Sequence, residues 1–406
     1  MVTPERRTRG DVVAVAVLVV AVITAATVLW RFSDARATVS EPAVGEAPAL
    51  VPPTALPPSL AEVWSAPSGA TPIPLVAGST VVTADGREVV GRDPLTGELR
   101  WRYARDIDLC TATSAWGQAL TVWSKNPRFC SEVTSIGGDS GKRVNQRNGD
   151  AERGTRVLSD GTHVTAIGER YLESWRSDLV RTTQYGKVPA PVNPGKQPRT
   201  GCSYASIAVG VNQIGLIERC PPDDATPDGD RLTVLKANPK EAEQPEPVYS
   251  IPLGIQAVQV IAVSANRAVL LLDNPTRLAV YDEHGSQVGD HPVDAPLPGD
   301  GPTPSVAQTT ASPNAVYWFT GTSTIALDPN DFHPLWTVPG TLGPGVIFAG
   351  RLLVPAPGEL VVLDAQTGER LGATPVDRGG YDGPVELAAA GPVVLEQRGA
   401  RLVALR

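Results

Sequence analysis

The sequence predicts an all-β domain, a β-propeller of about eight four-stranded blades, carried behind one N-terminal transmembrane helix. Three observations predict it. A strand–turn–strand unit recurs along the chain, with most starts about 36–46 residues apart. Turn-forming residues are abundant, with 39 Gly and 39 Pro among 406 residues, which suits many tight turns between short strands. An uninterrupted apolar run lies near the N-terminus. The formal net charge of −8 is spread along the chain and excludes the basic face that a nucleic-acid binder usually carries.

The apolar run is Val12 to Trp30, VVAVAVLVVAVITAATVLW. As a helix it would be roughly 28 Å long, enough to cross the hydrocarbon core. Arg6, Arg7 and Arg9 precede it. Positive residues stay on the cytoplasmic side, so the C-terminal mass should lie outside. A cleaved signal peptide is the rival reading, with Ala35-Arg36-Ala37 as a small-x-small site. The length of the run and Arg31 directly after it favour an uncleaved anchor. Either way the rest of the chain is exported. The organisation expected is a cytoplasmic tail (1–11), a transmembrane helix (12–30), a Pro/Ala-rich spacer (31–59) and a propeller domain (60–406). The spacer includes PALVPPTALPP, a semi-extended composition that would hold the domain away from the membrane.

The repeat is sharpest in EVVGRDPLTGELRW from Glu88 and ELVVLDAQTGERL from Glu359. Both contain Asp-x-x-Thr-Gly-Glu, at Asp93 to Glu98 and Asp364 to Glu369. Weaker copies start at Glu132, Tyr171, Arg231, Arg277 and Ser323, and a half-copy, RLVALR, starts at Arg401. One interval, from Tyr171 to Arg231, is near 60 residues. The period fits four short strands per unit, the blade of a propeller. Gly97 and Gly368 can take positive φ in a tight hairpin, and Asp93 and Asp364 can accept hydrogen bonds from backbone amides of the turn. Eight units are counted, with seven as the alternative if one copy is false. The half-copy needs a partner strand. The lone strand-like run LAEVWSAP, Leu60 to Pro67, is the candidate, and its pairing with Arg401 to Arg406 would close the ring and leave no long exposed edge.

The Asp-x-x-Thr-Gly turn resembles the repeat of the pyrroloquinoline-quinone-like propeller superfamily. That superfamily includes quinoprotein alcohol dehydrogenases and the propeller subunit of the outer-membrane β-barrel assembly machinery. The chain as a whole resembles actinobacterial envelope proteins that join one N-terminal helix to such a propeller. The resemblance implies the fold over about residues 60–406 and says little about function.

The four cysteines, Cys110, Cys130, Cys202 and Cys220, are even in number and lie outside the apolar run. Export predicts disulfides, and three pairings are open. Similar spacings of 20 and 18 residues favour Cys110–Cys130 and Cys202–Cys220. Cys110 and Cys202 fall early in the first strand of a blade, and Cys130 and Cys220 after the second, so each pair sits beside itself in a hairpin. Both bridges would lie on one propeller face, expected to contact a partner. No C-x-x-C or nearby His pair supports zinc.

Other candidates read as structural. Gly138-Asp139-Ser140-Gly141 falls at a blade hairpin with no supporting His, so a β-turn is expected rather than a nucleophile. Gly141-Lys142 lacks the P-loop spacing. Asp223, Asp224, Asp228 and Asp230 form an acidic loop without the EF-hand glycine and terminal Glu. His163, His284, His291 and His333 are scattered. Trp64, Trp101, Trp116, Trp123, Trp175, Trp318 and Trp336 are spread through the repeats, as blade-packing residues would be. The classical quinoproteins carry adjacent cysteines under the quinone, and this chain has none. The reading is a non-catalytic, protein-binding scaffold of the cell envelope, with no metal or cofactor, no nucleic acid, and envelope proteins or peptides as partners. A quinoprotein-like oxidoreductase and a ligand-sensing ectodomain are the alternatives. The short cytoplasmic tail leaves no room for a signalling domain.

Overall fold

A computed structural model describes residues 8–47, 49–221, 230–299 and 301–406. Arg6 and Arg7 therefore lie outside the described residues, as do Asp223, Asp224 and Asp228. After an apolar helix at Arg9–Arg31 come eight antiparallel sheets, the blades of one closed propeller. Blades 1 to 7 span 75–104, 108–148, 156–186, 203–252, 257–292, 308–339 and 346–375. Blade 8 combines 385–405 with Glu62–Pro67 from the start of the domain.

The burial pattern of the strands explains the sequence pattern. Second and third strands are buried on both sides, because each blade is sandwiched between two neighbours. Thr80–Asp85, Gln118–Ser124 and Arg277–Asp282 are accordingly short, nearly continuous apolar runs. Outermost strands such as Arg143–Asn148 and Pro334–Pro339 alternate between exposed and half-buried, because one side meets water. Every repeat start read from the sequence is the first residue of a third strand: Glu88, Glu132, Tyr171, Arg231, Arg277, Ser323, Glu359 and Arg401. The long interval after Tyr171 accommodates the loop at 187–202 and the segment between Cys220 and Arg231. Among the described residues there are eight hydrophobic clusters, one in each seam between neighbouring blades, including the seam that joins blade 8 to blade 1.

Closure follows from strand pairing. Glu62–Pro67 forms the outer strand of blade 8, with Glu62 opposite Leu405 and Pro67 opposite Arg401. Ala61 and Arg406 exchange backbone hydrogen bonds of 3.0 and 2.9 Å.

Part of the expected spacer is folded. Asp34–Ala37 is a single helical turn, and Val39–Glu41 adds a fifth, antiparallel strand to the outer edge of blade 1, with Val39 opposite Ala104. The chain then runs over the ends of blades 1 and 2, where the Ala43 amide donates to the Ser140 carbonyl at 2.9 Å. Leu50 packs into the seam between blades 8 and 1, and Leu56 and Leu60 into that between blades 7 and 8. Pro and Ala composition hid this path, because it is held by backbone pairing and by scattered apolar side chains without a period.

Candidate functional site

A propeller has two faces. One carries the loops from last strand to first and from second strand to third; the other carries the remaining turns. Both disulfides lie on the first. Cys110 belongs to the inner strand Asp108–Ala115 of blade 2 and is bonded to Cys130, just past the second strand, with a Cα–Cα distance of 6.1 Å. Cys202 directly precedes the inner strand of blade 4 and is bonded to Cys220, with a Cα–Cα distance of 4.1 Å. Cys130 is fully buried, and its amide donates to the Ala151 carbonyl of the next blade's entry loop.

The loop 187–202 is fixed by side chains. Gln197 Nε2 donates to the carbonyls of Gln184 and Glu243, and its Oε1 accepts from the Gly186 amide. Arg199 Nε donates to Glu218 Oε2 at 3.0 Å, and its Nη2 donates to the Tyr185 hydroxyl at 2.7 Å. Tyr185 donates in turn to Glu218 Oε1 at 2.5 Å, and the Thr233 hydroxyl also donates to this carboxylate. Glu218 is fully buried, so these donors replace its lost hydration. Burial disfavours the Arg199 charge, but Glu218 and Tyr185 outweigh it and raise the pKa. Burial pushes the Tyr185 hydroxyl far above the ordinary phenol range.

The central channel is partly occupied. The chain between blades 5 and 6 turns inward, and Ser305–Val306 pairs in parallel with Ser206 and Ile207 on the free edge of blade 4. Ser206 Oγ donates to the Ser305 carbonyl and accepts from the Val260 amide, both at 3.0 Å. Nearby in the ring, Gln308 Nε2 donates to Glu386 Oε1 at 2.7 Å, linking the inner strands of blades 6 and 8 across blade 7. Burial raises the Glu386 carboxyl to about 7, with the Gln308 hydrogen bond working the other way. A cleft of about 570 Å³ opens at the rim of blades 7 and 8, lined in part by Leu60, Tyr381, Arg378 and Arg398. Both arginines are turned onto the buried carboxylate of Glu396, at 2.7 Å each.

The repeat-turn residues lie on the opposite face. Asp93 Oδ1 accepts from the amides of Leu95 and Thr96, and Asp364 Oδ1 from those of Gln366 and Thr367. Hydrogen bonding lowers the Asp364 pKa, first through the Thr367 amide. Gly97 and Gly368 take φ of +74° and +71°. Each lies under an indole from the outer strand of the preceding blade, Trp64 over Gly97 and Trp336 over Gly368. Trp101 covers Gly141 of the GDSG turn in the same way, and Asp139 there accepts from the Ser79 amide at 2.7 Å. The turn residues and the disulfides are thus not brought together. Asp230 is buried and accepts from Ala257 and Arg219, bracing the entry to blade 5.

Two features carried no sequence signal. The channel strand is two residues long. Glu386 and Gln308 are far apart in sequence. Asp328, Asp331 and His333 converge at the outer turn of blade 6, where His333 Nδ1 lies 2.6 Å from Asp331 Oδ1 and Asp328 accepts from the Asn330 and Asp331 amides. The pattern is that of a hydrogen-bonded turn.

No protein-family model matches the chain, and no curated protein matches it. Solved structures do. BamB from Moraxella catarrhalis aligns with a TM-score of 0.51 at 13% identity, covering 86% of this chain and 99% of that one. Sqt1 from Saccharomyces cerevisiae aligns with a TM-score of 0.52 at 11% identity, over 86% and 98%. The dihydro-heme d1 dehydrogenase NirN, in complex with DHE, aligns with a TM-score of 0.52 at 14% identity, over 83% and 72%. At these identities the likeness is one of fold.

Proposed function

We propose that this chain is a non-catalytic binding or scaffold module of the cell envelope, a propeller held outside the membrane by Arg9–Arg31, with envelope proteins or peptides as partners. The observation that carries the reading is how the loops are fixed. Two disulfides and the Arg199–Glu218–Tyr185 cluster lock connections that in most folds are mobile, giving a rigid frame on which binding surfaces can be held. Disulfides favour an oxidising compartment. The helix is long and apolar enough to cross a membrane, and none of it is buried against the propeller.

The test is proximity labelling in intact cells from an enzyme fused after Arg406. Enrichment of a small set of extracytoplasmic proteins is expected. Labelling confined to cytoplasmic proteins would overturn the placement. A quinone retained through purification, with substrate oxidation, would overturn the non-catalytic assignment.

A further inference from the structure

The path of the chain between helix and propeller bears on which face looks toward the anchor. Val39 pairs with Ala104, the last residue of the outer strand of blade 1, so the chain joins the disc at the rim of the disulfide-braced face. A second contact agrees. Lys125, in the loop after the second strand of blade 2, lies 3.2 Å from Asp34 and 3.1 Å from Glu132. Only residues 32–38 separate the helix from this strand, and Asp34–Ala37 is helical. Their reach is roughly 20 Å, about the depth of one blade strand of six residues. Presenting the other face to the anchor would use the whole of this reach and break the Asp34–Lys125 contact.

Loops on this face end in exposed apolar side chains; Val44, Val51 and Val211 on the opposite face are exposed too, so it is the tether that chooses between the faces. Ile73, Val192, Ile255 and Leu297 are 45, 71, 39 and 46% exposed, and each sits in a loop leading from one blade to the next. Phe32, 81% exposed, follows the helix directly. We infer that the disulfide-braced face lies on the bilayer that holds this chain's own helix, with Ile73, Val192, Ile255 and Leu297 touching its interfacial region. Apolar tips on a rigid frame suit that contact, because burying them costs no loop ordering. The consequence reverses the expectation for this face. The bilayer covers it, and a protein partner meets the opposite face, where the segment 42–59 and the Asp-x-x-Thr-Gly turns lie.

The inference rests on the anchored reading above, and the experiment separates the two. The full chain is placed in phosphatidylcholine–phosphatidylglycerol vesicles, with a fluorescent amino acid introduced at position 192, 297 or 211. Val211 is an exposed control in a turn on the opposite face. The vesicles carry a nitroxide on the lipid headgroup. Flotation with the vesicles, and quenching several-fold stronger at 192 and 297 than at 211, is expected. Failure to float would overturn the anchored reading and this inference with it. Flotation with equal or stronger quenching at 211 would overturn the inference alone. In a second arm, about twenty Gly and Ser residues are inserted between Phe32 and Ser33 to slacken the tether. Positions 192 and 297 should keep most of their quenching, because the loops themselves hold the lipid. A fall to the level of position 211 would overturn the contact.

Discussion

At Gly368 the turn needs a residue that tolerates φ of +71°, and the indole of Trp336 leaves no room for a side chain. A Cβ there would lie 2.6 Å from the ring. The same pairing recurs at Gly97 under Trp64 and Gly141 under Trp101, so one residue both makes a turn and receives the neighbouring blade. Gly368→Ala should therefore lower stability by roughly 2–3 kcal/mol, the left-handed penalty plus overpacking. An unchanged urea midpoint would show that the indole can move aside. The turn glycines were legible because Asp-x-x-Thr-Gly names the turn; the tryptophan above each was not, because it belongs to another blade. Glu386 illustrates the same limit, since its partner Gln308 sits two blades away. Its carboxyl is raised from 4.5 to about 7 by burial, so the protonated form is the one the fold prefers. The stabilising contribution is complete below about pH 4.5 and is lost as pH rises through about 7. Glu386→Gln keeps the amide contact and removes the charge. It should be more stable than the parent by roughly 2–3 kcal/mol at pH 8 and nearly equal at pH 4. Equal midpoints for the two proteins at pH 8 would contradict this.

Hairpins and strands divide by how much their side chains reveal. Third strands could be read to the residue, since both faces are buried and the apolar run stops where the turn begins. Val39–Glu41 could not, because all three side chains are exposed and backbone pairing alone makes it a strand. Ser305–Val306 pairs in parallel over two residues, too short for any periodicity. The disulfides belong to this scale. Each joins the two ends of one hairpin, across sequence separations of 20 and 18 residues. Cys202→Ser combined with Cys220→Ser should cost about 2–5 kcal/mol while leaving the fold intact, since the other seams are untouched. Thermal unfolding of that variant, with non-reducing peptide mapping of the parent, checks both points. Recovery of Cys110 joined to Cys202 would refute the pairing.

Across the ring, each of the eight seams carries an apolar cluster among the described residues. The number of blades was legible from the period, and the ring's closure from an unfinished last unit facing a spare first strand. The point at which the N-terminal segment joins the rim was not, because it depends on a three-residue strand. Closure also sets an order of events during synthesis. The strand Glu62–Pro67 is made long before its partner Arg401–Leu405. Until Arg401–Leu405 has been made, the edge that will seal the ring has no partner strand. The ring therefore closes through one of its most distant contacts in sequence, and a nascent chain stalled before Arg401 would be released as an open, aggregation-prone arc.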